Sequence, residues 1–401
     1  MRHPLTRRTS LLLWPLLASP LLAAPLLAAF SLPAAAVQVT DNLDLGGAIR
    51  GRLDYDPDRN ISEFGFDTFF LTAAYTSDSW IGAAKYRLYG KHRPFDYTDK
   101  IGDISFAEYA WLGYKFDAER QLQAGLMPIP FGLQPYFGST FFETLGSVIG
   151  LEDAQDIGIK YTQKNADWDL QAAWFAMPAE QGKGTSRGGR TYGTSVASAD
   201  AYVVDGSDNH EENIVVARLA RNLQLGDWTS EVGVSALVST LDNQDTGDDG
   251  DRQAFAAHYL GQNGPWGVQF LAARQSMSPE NPGSDRLVSF GSFDGTFNVA
   301  AKGNLYVADL SYTLPGQYGW LSGVKLYANY SHFAKDASGF EDSQRFIAGS
   351  SFTFGPLWIA LEWLHGKHDP YIGGGSYTQS LGAGGSDRWE NQLYSNIGYY
   401  F

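Results

Sequence analysis

Glu362, His365 and His368 come nearest, in type and spacing, to a metal-binding set in this chain. On a helix such spacing would stack the three groups on one face. The surrounding residues alternate in hydropathy as a strand does, and a three-residue step in a strand reverses the face. The reading is therefore a strand running into a solvated loop. Asp242, Asp245, Asp248, Asp249 and Asp251 crowd a short stretch with two glycines. They resemble a calcium loop only superficially, because no Glu closes the set at the required distance. A hydrophilic loop is expected there, with loose divalent-cation use as the alternative. No Gly-rich phosphate cradle and no Ser–His–Asp arrangement is present, so the sequence offers no catalytic residue, no metal site and no cofactor.

The chemistry that remains is steering by charge. Arg50, Arg52, Lys85, Arg87, Lys160, Arg218, Lys325 and Arg345 all fall on the polar parity of alternating segments, and Lys91 lies just beyond one. Acids concentrate in polar connections instead, among them Glu180, Asp205, Asp208, Glu211, Glu212 and the 242–251 cluster. A basic inner wall would raise the local concentration of anions. Pairing of these cations with loop acids is the alternative.

Those side chains share a surface only if strands position them. From Leu43 the odd residues Leu45, Ile49, Leu53 and Tyr55 are apolar, while Asp44, Arg50, Arg52 and Asp54 occupy the even places. A period of two over this length gives a strand with one oily and one wet face. The pattern returns from Trp80, Trp168, Val232, Tyr306 and Val324; residues 104–116 are ambiguous, because Glu108 and Lys115 fall on opposite parities. Sixteen strands are expected, starting near Leu43, Phe66, Trp80, Ser105, Gln121, Asp156, Asp167, Ile214, Ser230, Gln253, Gly267, Asn304, Val324, Arg345, Leu357 and Glu390; 14 and 18 remain open. Short turns (261–267, 315–320, 355–356) alternate with long polar stretches (177–213, 241–252, 276–303, 366–388). An all-β transmembrane antiparallel barrel predicts that asymmetry, with about 9–11 residues per membrane strand.

Composition agrees. Residues 1–36 carry Arg2, Arg7 and Arg8, then an apolar run, then Ala34, Ala35 and Ala36, the order of a cleaved secretory leader. Removing it takes three Arg and no acid, moving the net charge from −15 to −18. That acidity excludes a nucleic-acid partner of the usual basic kind. There is no Cys, and 11 Trp and 22 Tyr accompany an exported chain with no long apolar run after residue 37, as interface girdles around a barrel would require. Residues 37–401 are expected to form one barrel domain in the outer membrane of a Gram-negative cell, in contact with its lipid and lipopolysaccharide. In the final strand Leu393, Ser395, Ile397, Tyr399 and Phe401 share a face. Tyr399 and the terminal Phe401 are the expected signal for the barrel-assembly machinery.

Residues 131–153 follow the fifth strand and are long, aromatic and poor in polar filler: Tyr136, Phe137, Phe141 and Phe142 lie among small residues. Such a loop is expected to fold inward and narrow the lumen, with Glu143, Glu152 and Asp153 facing the basic arc. A loop capping the barrel or packing between subunits is the alternative.

The segment "LQAGLMPIPFGL" at 122–133, followed by a long loop and "DIGIKY" at 156–161, resembles the phosphate-selective porin O and P family. The resemblance implies a 16-stranded, homotrimeric porin with an inward third loop, and an arginine ladder to which Arg50, Arg52, Lys85 and Arg87 would contribute. Family members also carry constriction lysines, whereas residues 131–153 contain no Lys or Arg. The expected activity is passive diffusion of small hydrophilic solutes with a lean toward anions such as phosphate, and no enzymatic step. A pore for neutral solutes such as sugars is the alternative, with Tyr89, Tyr327, Tyr394 and Trp358 against the rings. A barrel-borne enzyme or adhesin is a second, lacking any catalytic cluster or large external domain in the sequence.

Overall fold

The computed structural model describes residues 36–401, apart from Glu180 and residues 187–191. The leader up to residue 35 and the loop acid Glu180 thus lie outside the described residues. Sixteen strands make one closed antiparallel sheet: β1 (Leu43–Asp56), β2 (Ile61–Thr76), β3 (Trp80–Tyr89), β4 (Ile104–Lys115), β5 (Arg120–Pro128), β6 (Gln155–Lys164), β7 (Trp168–Pro178) and β8 (Asn209–Leu225), then β9 (Trp228–Asn243), β10 (Asp249–Asn263), β11 (Trp266–Ser278), β12 (Lys302–Thr313), β13 (Leu321–Lys335), β14 (Ser343–Phe354), β15 (Leu357–Lys367) and β16 (Glu390–Tyr400). Each pairs with its neighbours in sequence, and β16 pairs with β1 from Ala48↔Tyr400 to Tyr55↔Leu393. Closure leaves no long sheet edge, so every strand meets its backbone hydrogen-bonding demand within the sheet.

Alternation maps onto the two faces. Ile49 and Tyr55 of β1 are 52 % and 43 % exposed on the outer surface, while Ala48 and Asp54 are 0 % and 1 % exposed within. Rings gather at the end with the short turns: Trp80 meets Tyr114 edge-on at 5.1 Å and Trp266 meets Tyr312 at 4.7 Å. Three of those turns are two residues long and open with Gly226, Gly264 or Gly355 at φ +61°, +53° and +58°. That left-handed backbone suits glycine, and it keeps the strand twist continuous through a tight hairpin.

All sixteen strand starts lie within five residues of expectation. The largest gaps, at β2 and β8, arise where strands continue past the apolar band on polar residues such as Glu63 and Glu211. For the same reason residues 241–252 form a strand hairpin rather than an irregular loop, turning only over 244–248. The ambiguous β4 owes its mixed parity to a β-bulge: Lys85 faces Tyr109 but Tyr86 faces Ala107, so Glu108 is the extra residue. The bulge keeps Glu108 inward and re-aims Tyr109 and everything after it.

Candidate functional site: a folded-in loop against an arginine wall

Residues 129–154 leave β5 and pack inside the barrel. Phe131, Leu133, Phe137, Leu145, Ile149 and Leu151 are nearly solvent-free and join Val216, Leu237, Leu271, Leu305 and Phe333 of the far wall in one apolar cluster. The loop therefore fills part of the lumen, an outcome the aromatic, charge-poor loop sequence demands, since such rings gain by leaving water. A single helical turn, Leu145–Val148, is capped by Thr144, whose Oγ1 accepts from Gly146 N at 3.0 Å.

The wall grips the loop by its backbone. Arg218 on β8 donates to the Gly132 carbonyl at 2.8 Å. Arg252 on β10 donates to the Gly150 carbonyl at 2.9 Å, and Arg345 on β14 to the Thr144 carbonyl at 3.1 Å. Lys325 on β13 reaches Ser139 Oγ at 3.4 Å. Carboxylates complete the set: Asp309 accepts from Ser139 N at 2.9 Å, and Glu362 from Phe141 N at 2.6 Å and Phe142 N at 3.0 Å. Arg218 and Arg345, expected to line an open wall, are thus covered by the loop they hold, each 2 % exposed or less. Lys160 lies at the foot of the loop, its Nζ 3.1 Å from the Pro128 carbonyl. Arg252 joins the basic wall although its segment reads as a polar connection in sequence; its inward parity with Ala254 and Ala256 is the signal that marks it.

Glu152 is turned into the loop rather than across the lumen. At 2 % exposed it accepts from Phe137 N at 2.6 Å, Thr144 N at 3.2 Å and Thr144 Oγ1 at 2.5 Å. This staple holds an arch in which Glu143 (φ +62°) and Asp153 (φ +50°) sit in the left-handed region, a conformation that costs a non-glycine residue about 1–3 kcal/mol.

Opposite stands the arc of β1–β4. Arg50 lies 3.1 Å from Asp67, Arg52 grips Asp54 through two contacts of 2.7 Å, and Lys85 and Arg87 converge on Glu108. The wall is therefore not simply basic. Each guanidinium has an acid on a nearby strand position, as burial of an ion requires, and those acids are neither the loop acids of the alternative reading nor confined to loops. Arg87 lies 4.2 Å above the ring of Tyr192, whose hydroxyl is 3.3 Å from Glu143 Oε1, a link between wall and loop. Burial pushes the Glu143 carboxyl above its ordinary range. Burial first, then the charge of Glu143, pushes Glu152 up to about 7. Asp153 is raised well above normal by burial and by Glu143 and Glu108. Glu143 and Asp153 are joined by a side-chain hydrogen bond, and all three loop carboxyls take up protons more readily than ordinary carboxylates.

Between loop and wall remains a cavity of about 480 Å³, lined by Arg50, Arg52, Arg93, Tyr89, Phe141 and Tyr394, among others. Of the four rings expected for sugar stacking, Tyr89 and Tyr394 face it. Tyr327 is buried on Glu362, and Trp358 packs against Phe141 at 5.4 Å between ring centres.

Glu341, His368 and Asp387 have ligand atoms within 4.8 Å of one another at the loop end. His368 Nδ1 accepts from Gly385 N at 2.8 Å, and Lys367 Nζ already sits 2.5 Å from Asp387. An accepting Nδ1 leaves the proton of a neutral ring on Nε2, and the ammonium occupies the cation's place, so the set reads as an ion-pair cluster. His365 instead stacks on Trp389 at 4.5 Å. At the other end Phe401 exchanges backbone hydrogen bonds with Gly47, at 2.7 and 3.0 Å, while Tyr399 lies on the outer face.

No family model matches the chain, and no curated protein matches it. Among solved structures it is similar to the outer-membrane channel DcaP of Acinetobacter baumannii, at 12 % identity, covering 92 % of this chain and 100 % of that one, with TM-score 0.57. The anion-selective porin from Comamonas acidovorans aligns at 12 % identity over 90 % of this chain and 99 % of that one, with TM-score 0.53. The trimer form of the outer-membrane protein OmpT of Vibrio cholerae aligns at 15 % identity, covering 90 % and 99 %, with TM-score 0.51. The chain thus has the 16-stranded barrel fold of outer-membrane porins.

Proposed function

We propose that this protein is an outer-membrane porin, a passive water-filled channel for small hydrophilic solutes with a preference for anions. The observation that carries the reading is the asymmetry of the narrowed lumen. On the wall Arg50 and Arg52 line the cavity beside Arg93, with Lys85 and Arg87 paired on Glu108 next to them, while burial raises the proton affinity of the loop carboxyls opposite. Cations placed this way replace part of an anion's hydration and pass it on between weak sites. No bond is made or broken, and the reading includes no enzymatic step. Phosphate falls within this class, on the sequence resemblance at 122–133 and 156–161. The proposal extends to a cleaved leader at 1–36, assembly through the Tyr399–Phe401 end, contact with lipopolysaccharide, and a homotrimer, the form named for the OmpT structure. Reversal potential across a planar bilayer under a KCl gradient tests it: a chloride preference is expected, and a clear potassium preference overturns it.

A further inference from the structure

We propose that the cavity between the loop and the β1–β4 wall is a binding site for carboxylates borne on an aromatic ring, in preference to inorganic phosphate. The inference rests on the anion-channel reading above and names its substrate class.

Two guanidiniums lining this cavity have hydrogen-bonding capacity that the protein leaves unused. Arg50 is 9 % exposed, and although its Nε lies 3.1 Å from Asp67 it makes no hydrogen bond. Arg93 Nε is buried without a partner, and its side chain makes no ion pair or hydrogen bond among the described residues. The terminal nitrogens of both side chains also make no hydrogen bond among the described residues, so each guanidinium can still take a bidentate acceptor from the cavity. A carboxylate matches the planar fork of a guanidinium.

The surroundings select what the carboxylate is attached to. The Arg50 guanidinium lies 5.6 Å from the Phe70 ring centre and 5.2 Å from that of Phe141. Phe141 continues onto Tyr394 at 6.1 Å, near-parallel, and Phe142 meets Tyr394 at 5.4 Å. A second group of rings lines the same cavity, with Phe293 stacked on Tyr89 at 4.8 Å and on Tyr192 at 6.2 Å. Aromatic faces take up a planar ring and return nothing to a strongly hydrated ion. Phosphate would need its hydration replaced by many donors, and residues 131–153 supply no Lys or Arg for that.

The test uses the full-length protein in planar bilayers, with benzoate, acetate and phosphate added to a KCl current. Benzoate is expected to half-block the current at a concentration about tenfold below acetate or phosphate. Arg93→Gln removes no ion pair or hydrogen bond among the described residues, and heat-modifiable migration on a gel checks that it folds. It should raise the benzoate half-block about tenfold, and Phe141→Leu should erase the advantage of benzoate over acetate. Equal block by benzoate and acetate, or benzoate block that ignores both substitutions, overturns the site. A channel that prefers chloride yet shows no benzoate preference overturns only this inference; one without any anion preference overturns the function proposed above.

Discussion

Arg218 on β8 and Gly132 in the loop are joined by a single 2.8 Å hydrogen bond from the guanidinium Nε to the carbonyl oxygen, deep in the barrel. The same guanidinium is neutralised by Glu231 at 2.5 Å and Asp169 at 3.4 Å. A cation so placed is a fastener, and its charge is spent before any solute meets it. The same holds for Arg252 with Glu211 and for Arg345 with Asp369.

Arg345→Met should loosen the loop. It strips the Thr144 carbonyl of its donor and leaves Asp369 buried without its partner, a loss of about 3–5 kcal/mol by the usual cost of breaking a buried pair. Single-channel recordings should show a larger, noisier conductance, and urea unfolding an earlier midpoint. A variant unchanged in both would mean the loop is held elsewhere.

Glu152→Ala should disorganise the arch itself, because three donors from Phe137 and Thr144 lose their acceptor. Orphaning buried donors costs about 1–3 kcal/mol. The expected readout is faster proteolysis within residues 131–153 on an otherwise heat-resistant barrel; cleavage no faster than in the parent protein would count against the staple.

The raised proton affinity of Glu143, Glu152 and Asp153 gives a pH dependence with a definite sign. Their folded values are raised, Glu152 to about 7. Their contribution to stability is therefore complete below the ordinary carboxylate range and is lost as pH rises through about 7. Deprotonation also adds negative charge opposite Arg87, so chloride preference should fall as pH climbs from about 5 to about 9. A reversal potential flat across that range would refute the cluster's role.

Arg52→Glu places a second acid beside Asp54 on the lumen side, with Tyr394 5.1 Å from the original guanidinium. Reversal potential should shift toward cations. The equivalent change at Arg218 should cost folding and leave the selectivity of surviving channels little altered, since Arg218 is covered. Equal selectivity shifts at both positions would erase the distinction between wall and fastener.

Deleting Phe401 removes the backbone exchange with Gly47 at the seam between β16 and β1, and a ring 6.4 Å from Phe69. Slower assembly and less of the heat-resistant form on a gel are expected; assembly at the parent rate would reject the terminal signal.

The barrel was legible because lipid and lumen impose opposite demands on successive residues, as Ile49 and Arg50 show. The inward course of residues 131–153 was legible from composition, since Phe131 and Phe137 had no reason to stay in water. The division of the cations was not. Arg50 and Arg218 both fall on the polar face of their strands, and only the depth of the folded loop separates one that faces the cavity from one beneath it. Glu108 was hidden for a different reason: a bulge adds one residue and changes the parity on which the reading depends. Arg252 was lost because the strand outruns the apolar band that betrays it.

The fasteners also fix an order of events. Residues 129–154 leave the chain after β5, yet their grips come from β8, β10, β14 and β15, all synthesised later. An assembly intermediate stalled at the seventh strand would have nowhere to lodge those rings. The narrowing therefore cannot be completed by the first seven strands alone and needs the far wall through β15 in place.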